Sequence, residues 1–234
     1  MRLVILPGVF RPHSDSRLLA RHLRHEVEPS SSVVDICTGS GLLALTAARS
    51  GAKTVMAVDV SRRAVLATRL NALLNGVSVE AVRGDLFGPF AGRRFDVIVS
   101  NPPYVPAIHD ALPTGGPSRA WDAGRDGRAL LDRICVEAPA HLRPGGRLLL
   151  VHSDVCDAER TVALLAAQGL EADVIARERG PLGPLLAARR DELARRGLID
   201  DDAQTEELVV VRGQVPDGCS PLPGGTGMEL LRSG

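Results

Sequence analysis

The sequence predicts an α/β protein built on a doubly wound, mostly parallel sheet of seven strands. Three observations support this prediction. Short apolar runs rich in Val, Ile and Leu alternate with amphipathic stretches, as expected for strands that are buried on both faces. Glycine-containing turns follow several of these runs. The length of 234 residues is sufficient for one such domain with a full hydrophobic core.

The first half of the chain is predicted to contain four strands and three helices. The strands are short apolar runs, at residues 33–36, 54–58, 79–82 and 95–100. The first helix begins at the candidate N-caps Ser14, Asp15 and Ser16 and ends before Pro29. The other two helices are predicted at residues 42–49 and 61–74.

The second half is predicted to complete the sheet. Helices are expected at residues 127–142 and 155–168, and strands at residues 147–151, 170–175 and 208–211. Residues 180–206 form an inserted segment with an arginine-rich helix at 185–196. We therefore predict a single domain over residues 1–212 and a disordered tail over residues 213–234, which are rich in Pro and Gly.

Composition excludes several classes of function. A formal net charge of zero argues against wide contact with a nucleic-acid backbone, although it leaves local contact open. The four cysteines lack the spacing of a zinc site, so no metal site is predicted. No secretory signal is recognised, and no apolar run approaches the roughly 18 residues of a membrane span. We expect a cytoplasmic protein without a membrane partner.

Three strand ends predict a nucleotide-containing cofactor. Gly39 and Gly41 form a turn between the first strand and its helix, where glycine permits positive φ and close approach of a ligand. Asp59 ends the second strand, where a carboxylate accepts two ribose hydroxyls. After the third strand, Asp85 is placed to accept from an adenine amino group and Leu86 to contact the ring. NAD also fits this pattern.

Asn101, Pro102, Pro103 and Tyr104 follow the fourth strand. Neither proline has a backbone N–H, so the strand ends here and the next residues are stiff and extended. The Asn101 side-chain oxygen and the Pro102 carbonyl can accept both hydrogens of a substrate NH2 group, and Tyr104 can cover a flat amide or base. A purely structural connector is the alternative. Trp121, in the following loop, is either a core anchor or a lining residue of the substrate pocket.

These motifs resemble a known family. The run from Asp35 to Gly41 is similar to motif I of the class I S-adenosylmethionine-dependent methyltransferases, which implies their Rossmann-like fold and S-adenosylmethionine as cofactor. Cys37 stands where many of these enzymes have glycine, so the backbone there must tolerate a Cβ atom. The resemblance implies the following cofactor-binding residues: Asp15, Ser16, Asp35, Cys37, Thr38, Gly39, Gly41, Asp59, Val60, Asp85, Leu86 and Asn101.

The tetrad at residues 101–104 resembles the signature of enzymes that methylate a planar NH2 nitrogen. Together with residues 122–127 it resembles the HemK (PrmC) glutamine methyltransferases, in the short branch without an N-terminal helical domain. The resemblance implies Asn101, Pro102 and Tyr104 as catalytic residues and Pro103 as an additional substrate-binding residue. The position of Trp121 in the loop after the tetrad adds it as a candidate substrate-binding residue. The resemblance also implies a protein acceptor such as a translation release factor and, for this branch, a small zinc-binding activator subunit.

Several alternatives stay open at the level of sequence. The same tetrad would read the N6 amino group of adenine in DNA or RNA, or the amine or amide of a small natural product. An NAD oxidoreductase or a non-catalytic nucleotide-binding module would explain Gly39, Gly41 and Asp59, but not the residues from Asn101 to Tyr104.

Overall fold

A computed structural model describes residues 1–217, which contain one seven-stranded sheet of order β3-β2-β1-β4-β5-β7-β6. The five strands from β3 to β5 pair in parallel, and β7 is antiparallel to both β5 and β6. The predicted mostly parallel, seven-stranded fold is therefore confirmed. The strands are β1 Ser32–Ile36, β2 Thr54–Asp59, β3 Glu80–Arg83, β4 Phe95–Ser100, β5 Leu142–Ser153, β6 Glu171–Pro181 and β7 Thr205–Gln214.

Helices cover both faces of the sheet. They are α1 Ser14–Glu26, α2 Leu42–Arg49, α3 Arg62–Leu74, α4 Ala129–Glu137, α5 Ala158–Ala167, α6 Pro184–Ala188 and α7 Arg190–Arg195. Along β4, Ile98 packs into a core on one face, whereas Val97 and Val99 pack into a second core on the other. This alternation of fully buried apolar side chains is why the strands appear in the sequence as continuous apolar runs.

Three helix boundaries differ from the predictions. Helix α1 begins at Ser14 with His13 as its N-cap, and no side chain caps it. The predicted cap residues lie inside the first turn, where Asp15 and Ser16 are buried. Helix α4 ends at Glu137, and the chain continues as a 3₁₀ turn that contains Pro139. Helix α5 begins only after Asp157, whose side chain accepts from the Arg160 N–H.

The inserted segment also differs from the prediction. Strand β6 continues to Pro181 and β7 begins at Thr205, so the two form a long antiparallel pair joined by residues 182–204. The expected single helix at 185–196 is two short helices that meet at Arg189, which has φ −111° and ψ 6°. The chain bends there and folds back toward the carboxyl ends of the parallel strands.

The sheet extends past residue 212. Gly213 and Gln214, which we expected in the tail, pair with both β5 and β6. Val215 is buried, and its N–H donates to the Gly146 carbonyl at 2.9 Å, which fixes the end of the strand. Residues 218–234, the rest of the predicted tail, lie outside the described residues. Within residues 1–217, no helix has both the length and the hydropathy needed to cross a membrane.

Candidate active site

An open cleft of about 1520 Å³ lies at the carboxyl ends of β1, β2, β3 and β4. In open α/β sheets this edge is where ligands bind, because the turns after parallel strands meet there. The turn after β1, the acids after β2 and β3, and the tetrad after β4 all line the cleft. Most of the predicted cofactor and acceptor residues thus line one cavity, and Asp35 and Gly41 are the two that do not.

The turn after β1 adopts left-handed backbone at three positions. Cys37 has φ 61°, Gly39 φ 56° and Gly41 φ 85°. A Cβ atom on Gly39 would meet nothing within 4 Å, which leaves this side open to a ligand. A Cβ atom on Gly41 would lie 2.9 Å from the Thr68 Cγ2, so Gly41 serves the packing of α2 against α3 and does not line the cleft. Cys37 carries the Cβ atom that the sequence required this backbone to tolerate.

Asp35 lies behind this turn and not in the cleft. Its Oδ2 accepts from the Thr38 Oγ1 at 2.6 Å and from the Ala44 N–H at 3.0 Å, which ties the turn to the start of α2. The side chain is fully buried and its Oδ1 has no partner among the described residues. Burial raises the pKa of Asp35 to about 7. We expected Asp35 to bind the cofactor; the structure gives it the role of shaping the turn, whereas Thr38 lines the cleft.

Asp59 faces the cleft at the end of β2, beside Val60. Its Oδ2 accepts from the Gly39 N–H at 3.0 Å and its Oδ1 from the Ser61 N–H at 2.8 Å. Each carboxylate oxygen keeps a further acceptor site, so this side chain can accept two ligand hydroxyls. Burial raises the pKa of Asp59, and the two backbone donors oppose that effect.

Asp85 and Leu86 lie at the end of β3, on the same side of the cleft. Leu86 is buried with φ 42°, which turns its side chain into the core next to the cavity. Asp85 forms an ion pair with Arg133, with the Oδ2 and Nη2 atoms 2.9 Å apart. Arg133 projects from α4 and was not predicted as a site residue, because no local pattern indicates which arginine reaches a distant strand end.

Two side chains of α1 orient the side chain of Asn101. Its Nδ2 lies 3.0 Å from the Asp15 Oδ2 and 2.9 Å from the Ser16 Oγ. A carboxylate only accepts, so the Asn101 NH2 must face Asp15 and the Oδ1 must face the other way. Among described residues no donor bonds this Oδ1 or the Pro102 carbonyl. Asp15 and Ser16 line the cleft as expected, but their polar contacts are to the tetrad.

The Tyr104 hydroxyl donates to the same Asp15 oxygen at 3.1 Å. Burial, and then the negative charge of Asp15, raise the pKa of this phenol, so it stays a donor. Asp15 therefore joins both polar side chains of the tetrad. Pro102 is buried and Pro103 is half-buried, and both line the cleft between them.

The backbone of the tetrad is held in place by residues that we did not predict as part of the site. The Tyr104 carbonyl accepts from the Cys156 Sγ at 3.0 Å. A Cβ atom on Gly127 would lie 2.3 Å from that carbonyl, so only glycine fits there. Next to it the buried Arg128 donates to the Cys156 carbonyl and forms a 2.7 Å ion pair with Asp132. The glycine-containing motif at residues 122–127 was a partial signal for this support.

Trp121 combines the two roles that the sequence left open. It is half-buried, lines the cleft, and packs against a small apolar cluster built on Val105, Leu186 and Leu193. The Val105 N–H donates to the Trp121 carbonyl at 2.8 Å, which closes the loop after the tetrad. The side chain therefore anchors this loop and forms part of the cavity wall.

The residues of the cleft fit S-adenosylmethionine. The open face of Gly39 admits a ligand against the backbone, Asp59 offers two acceptors for ribose hydroxyls, and Asp85 offers a carboxylate beside the buried Leu86. Asn101 lies at the far side of the same cavity. One cavity therefore brings together residues that fit a nucleoside and acceptors that fit an NH2 group.

Comparison with known proteins agrees with this interpretation. Residues 1–114 match the family described as the methyltransferase small domain. A Methanocaldococcus jannaschii protein with the provisional name protein N5-glutamine methyltransferase is 34% identical over 186 residues, which are 80% of this chain and 93% of that protein. The release factor glutamine methyltransferase of Geobacter sulfurreducens is 32% identical over 71% of this chain. The matched part covers only 60% of that longer protein.

Solved structures show the same fold. The E. cuniculi Mtq2–Trm112 complex, described as responsible for methylation of the eRF1 termination factor, matches with a TM-score of 0.60 at 21% identity, over 89% of this chain and 99% of that one. A T. thermophilus 16S rRNA methyltransferase in complex with AdoMet and guanosine matches with a TM-score of 0.56 at 24% identity, over 90% of this chain and 46% of that one.

Fold and site together define a class I S-adenosylmethionine-dependent methyltransferase. Within that class, the chain belongs to the HemK/PrmC family of glutamine methyltransferases. The cofactor is S-adenosylmethionine, and the NAD alternative is set aside.

Proposed function

We propose that this enzyme methylates the side-chain amide nitrogen of a glutamine in a protein acceptor such as a translation release factor. The orientation of Asn101 carries the proposal. Its NH2 group is bound by Asp15 and Ser16, so its oxygen is the atom presented to an acceptor. The names of the relatives in M. jannaschii and G. sulfurreducens support glutamine as the target.

An amide nitrogen is a weak nucleophile because its lone pair is delocalised into the carbonyl. The Asn101 Oδ1 and the Pro102 carbonyl accept one N–H each from the acceptor amide, and both are without donors among the residues described. Two acceptors on one NH2 favour a pyramidal nitrogen with its lone pair directed into the cleft. Both hydrogen bonds strengthen as positive charge develops on nitrogen, so they stabilise the transition state more than the ground state.

S-adenosylmethionine supplies an electrophilic methyl group, and the enzyme supplies position and charge. The acceptor nitrogen forms its bond to the methyl carbon as the sulfur–carbon bond breaks, and the nitrogen then releases one proton to water. Asp15 keeps Asn101 and Tyr104 in place during this step because it accepts from both side chains at 3.0 and 3.1 Å. We assign the Tyr104 ring to one face of the acceptor amide.

The test is incubation of the purified protein with methyl-labelled S-adenosylmethionine and a lysate of its source cells, followed by fractionation. Label in protein, located by mass spectrometry on a glutamine side chain, is the expected result. Label confined to RNA, DNA or small molecules would overturn the proposal. We also propose a small activator subunit, as the resemblance to the short branch implies. The test compares the chain alone with the chain in lysate, using a purified release factor as acceptor, and we expect methylation to be faster in lysate.

A further inference from the structure

The inserted helices α6 and α7 contact the loop that follows the tetrad. We call residues 105–126 the acceptor loop. The loop begins at Val105, directly after the tetrad, and comes back beside that residue at Asp122. These two residues form a β-bridge, and we call the place where the outgoing and returning sides of the loop meet its neck. The Ala107 N–H donates to the Gly124 carbonyl at 2.8 Å, which adds a second link across the neck. Residues 112–117 and 119–122 of the loop line the cleft.

Arg189 joins the two sides of this neck. Its Nη1 donates to the Pro106 carbonyl at 2.7 Å, on the outgoing side. Its Nη2 lies 2.7 Å from the Asp122 Oδ1, on the returning side, as a charge contact without the alignment of a hydrogen bond. The guanidinium and the carboxylate are only 25% and 15% exposed, so this ion pair is better shielded than a surface pair.

Arg196, the residue directly after the end of α7, repeats the arrangement. Its Nη1 donates to the Ala107 carbonyl at 3.0 Å, and its Nη2 donates to the Arg125 carbonyl. These carbonyls again belong to the outgoing and returning sides of the neck. Two arginines of the insertion therefore occupy backbone acceptors that the loop itself leaves unpaired.

The insertion and the acceptor loop also share an apolar cluster. Leu186 of α6 and Leu193 of α7 are buried against Val105 and Trp121. Val105 directly follows Tyr104, and Trp121 lines the cleft. The apolar contacts thus connect the insertion to the last residue of the tetrad and to the wall of the cavity.

We infer that α6 and α7 act as a clamp that holds the acceptor loop in the conformation that receives the protein acceptor, with Arg189 as the positioning residue at its centre. The inference rests on the proposed function, because it assigns the clamp to acceptor binding. Arg189 sits at the junction of the two helices, where the chain bends. The chain bends at this junction instead of continuing as the single helix that we predicted. This bend brings the Arg189 guanidinium to both sides of the neck.

The test compares Arg189→Ala with Arg190→Ala. Arg190 is the adjacent arginine, and among the described residues its ion-pair partner is the exposed Asp191, at 3.7 Å. Hydrogen exchange reports on the clamp itself, because the Val105 and Ala107 amides donate across the neck. We expect at least tenfold faster exchange of these amides in Arg189→Ala and no change in Arg190→Ala.

Kinetics then separates acceptor positioning from a structural role. We expect Arg189→Ala to raise the acceptor KM about tenfold, to leave the affinity for S-adenosylhomocysteine within twofold, and Arg189→Lys to recover part of the loss. Unchanged exchange, or an equal loss of cofactor affinity, would overturn the inference. If Arg189→Ala does not fold, Asp122→Asn removes the same ion pair and is read by the same criteria.

The two proposals fail in different ways. If the unaltered enzyme labels no protein, the proposed function is wrong, and the clamp loses its assignment to a protein acceptor even if exchange responds. If the unaltered enzyme labels a protein glutamine and Arg189→Ala shows the same acceptor KM, only the clamp is wrong.

Discussion

The Asp15 carboxylate accepts a hydrogen bond from the Asn101 side-chain amide at 3.0 Å, across 86 residues of sequence. In the proposed function, this contact decides which end of the Asn101 amide meets the acceptor. It also explains why two polar residues are buried in the first turn of α1 and do not cap the helix. Asn101 in the tetrad therefore depends on a residue of the first helix for its orientation.

Removal of the Asp15 carboxylate should affect turnover more than cofactor binding. In Asp15→Ala, Asn101 loses an acceptor for its NH2 and can rotate. We expect kcat to fall about 10- to 100-fold, since a hydrogen bond to a charged group contributes roughly 1.5–3 kcal/mol. Titration calorimetry with S-adenosylhomocysteine should show an affinity within threefold of the unaltered enzyme.

Arg17→Ala is the control for Asp15, because Arg17 is exposed on the same helix and does not line the cleft. It should leave both kcat and cofactor affinity unchanged. A collapse of cofactor affinity in Asp15→Ala with unchanged turnover of the bound complex would instead show that Asp15 is a cofactor ligand, as the family resemblance implies.

Gly127 should tolerate no side chain. Gly127→Ala places a Cβ atom 2.3 Å from the Tyr104 carbonyl at a φ of 74°. Gly92→Ala is a matched control, because its φ is 73° and a Cβ atom there meets nothing within 4 Å. We expect Gly92→Ala to cost about 1–2 kcal/mol of unfolding free energy and to keep activity. Gly127→Ala should cost roughly 1–3 kcal/mol more and lose methyl transfer. Equal losses in the two variants would contradict this account.

The fold was predictable because it depends on local patterns. The bounds of α2 and β4 are those predicted, and Ser61 caps α3 as expected. The errors arose where long-range contacts set the boundary. The end of β7 is fixed by the bond from Val215, the next residue, to Gly146, and the bend at Arg189 is stabilised by contacts with Pro106 and Asp122. No local pattern encodes those partners.

The ionisation of Asp35 should make stability depend on pH. Its pKa of about 7 in the folded protein exceeds the ordinary value of 3.8, so between these pH values the folded state binds the proton more tightly than the unfolded state. The unfolding free energy contributed by this group therefore falls as pH rises through that window, by at most about 1.4 kcal/mol per pH unit.

Asp35→Asn removes that ionisation and keeps an oxygen to accept from Thr38 and Ala44. Denaturant unfolding at several pH values between 4 and 7.5, an interval chosen to span roughly the window of the two pKa values, measures the effect. We expect the unfolding free energy of the variant, relative to the unaltered protein, to rise steadily with pH. A pH-independent difference would show that Asp35 is ionised throughout.

Asp85 should contribute to cofactor affinity and little to stability. Its ion pair with Arg133 is 58% and 40% exposed, and such pairs contribute roughly 0–1 kcal/mol. We expect Asp85→Ala to weaken S-adenosylhomocysteine binding about five- to tenfold by calorimetry, the value of one hydrogen bond. Glu137→Ala, which removes the other partner of Arg133, is the control. Equal affinity in both variants would remove Asp85 from the cofactor site.

The site was less predictable than the fold. Sequence placed Asp59, Asp85 and the tetrad at strand ends, and strand ends converge in this topology, so these residues share the cleft. The resemblance to motif I put Asp35 in the cofactor site, although its side chain points behind the turn. The direction of a side chain depends on what packs around it, and a motif records only that the residue is there.

The most direct test of the central claim, that Asn101 reads the acceptor nitrogen, is paired measurement on Asn101→Ala. S-adenosylhomocysteine affinity is measured by calorimetry, and methyl transfer is measured with labelled S-adenosylmethionine and the labelled protein acceptor. We predict no detectable methyl transfer. We also predict an affinity within about threefold of the unaltered enzyme, because a threefold change in affinity corresponds to under roughly 1 kcal/mol. Turnover equal to that of the unaltered enzyme would contradict the central claim.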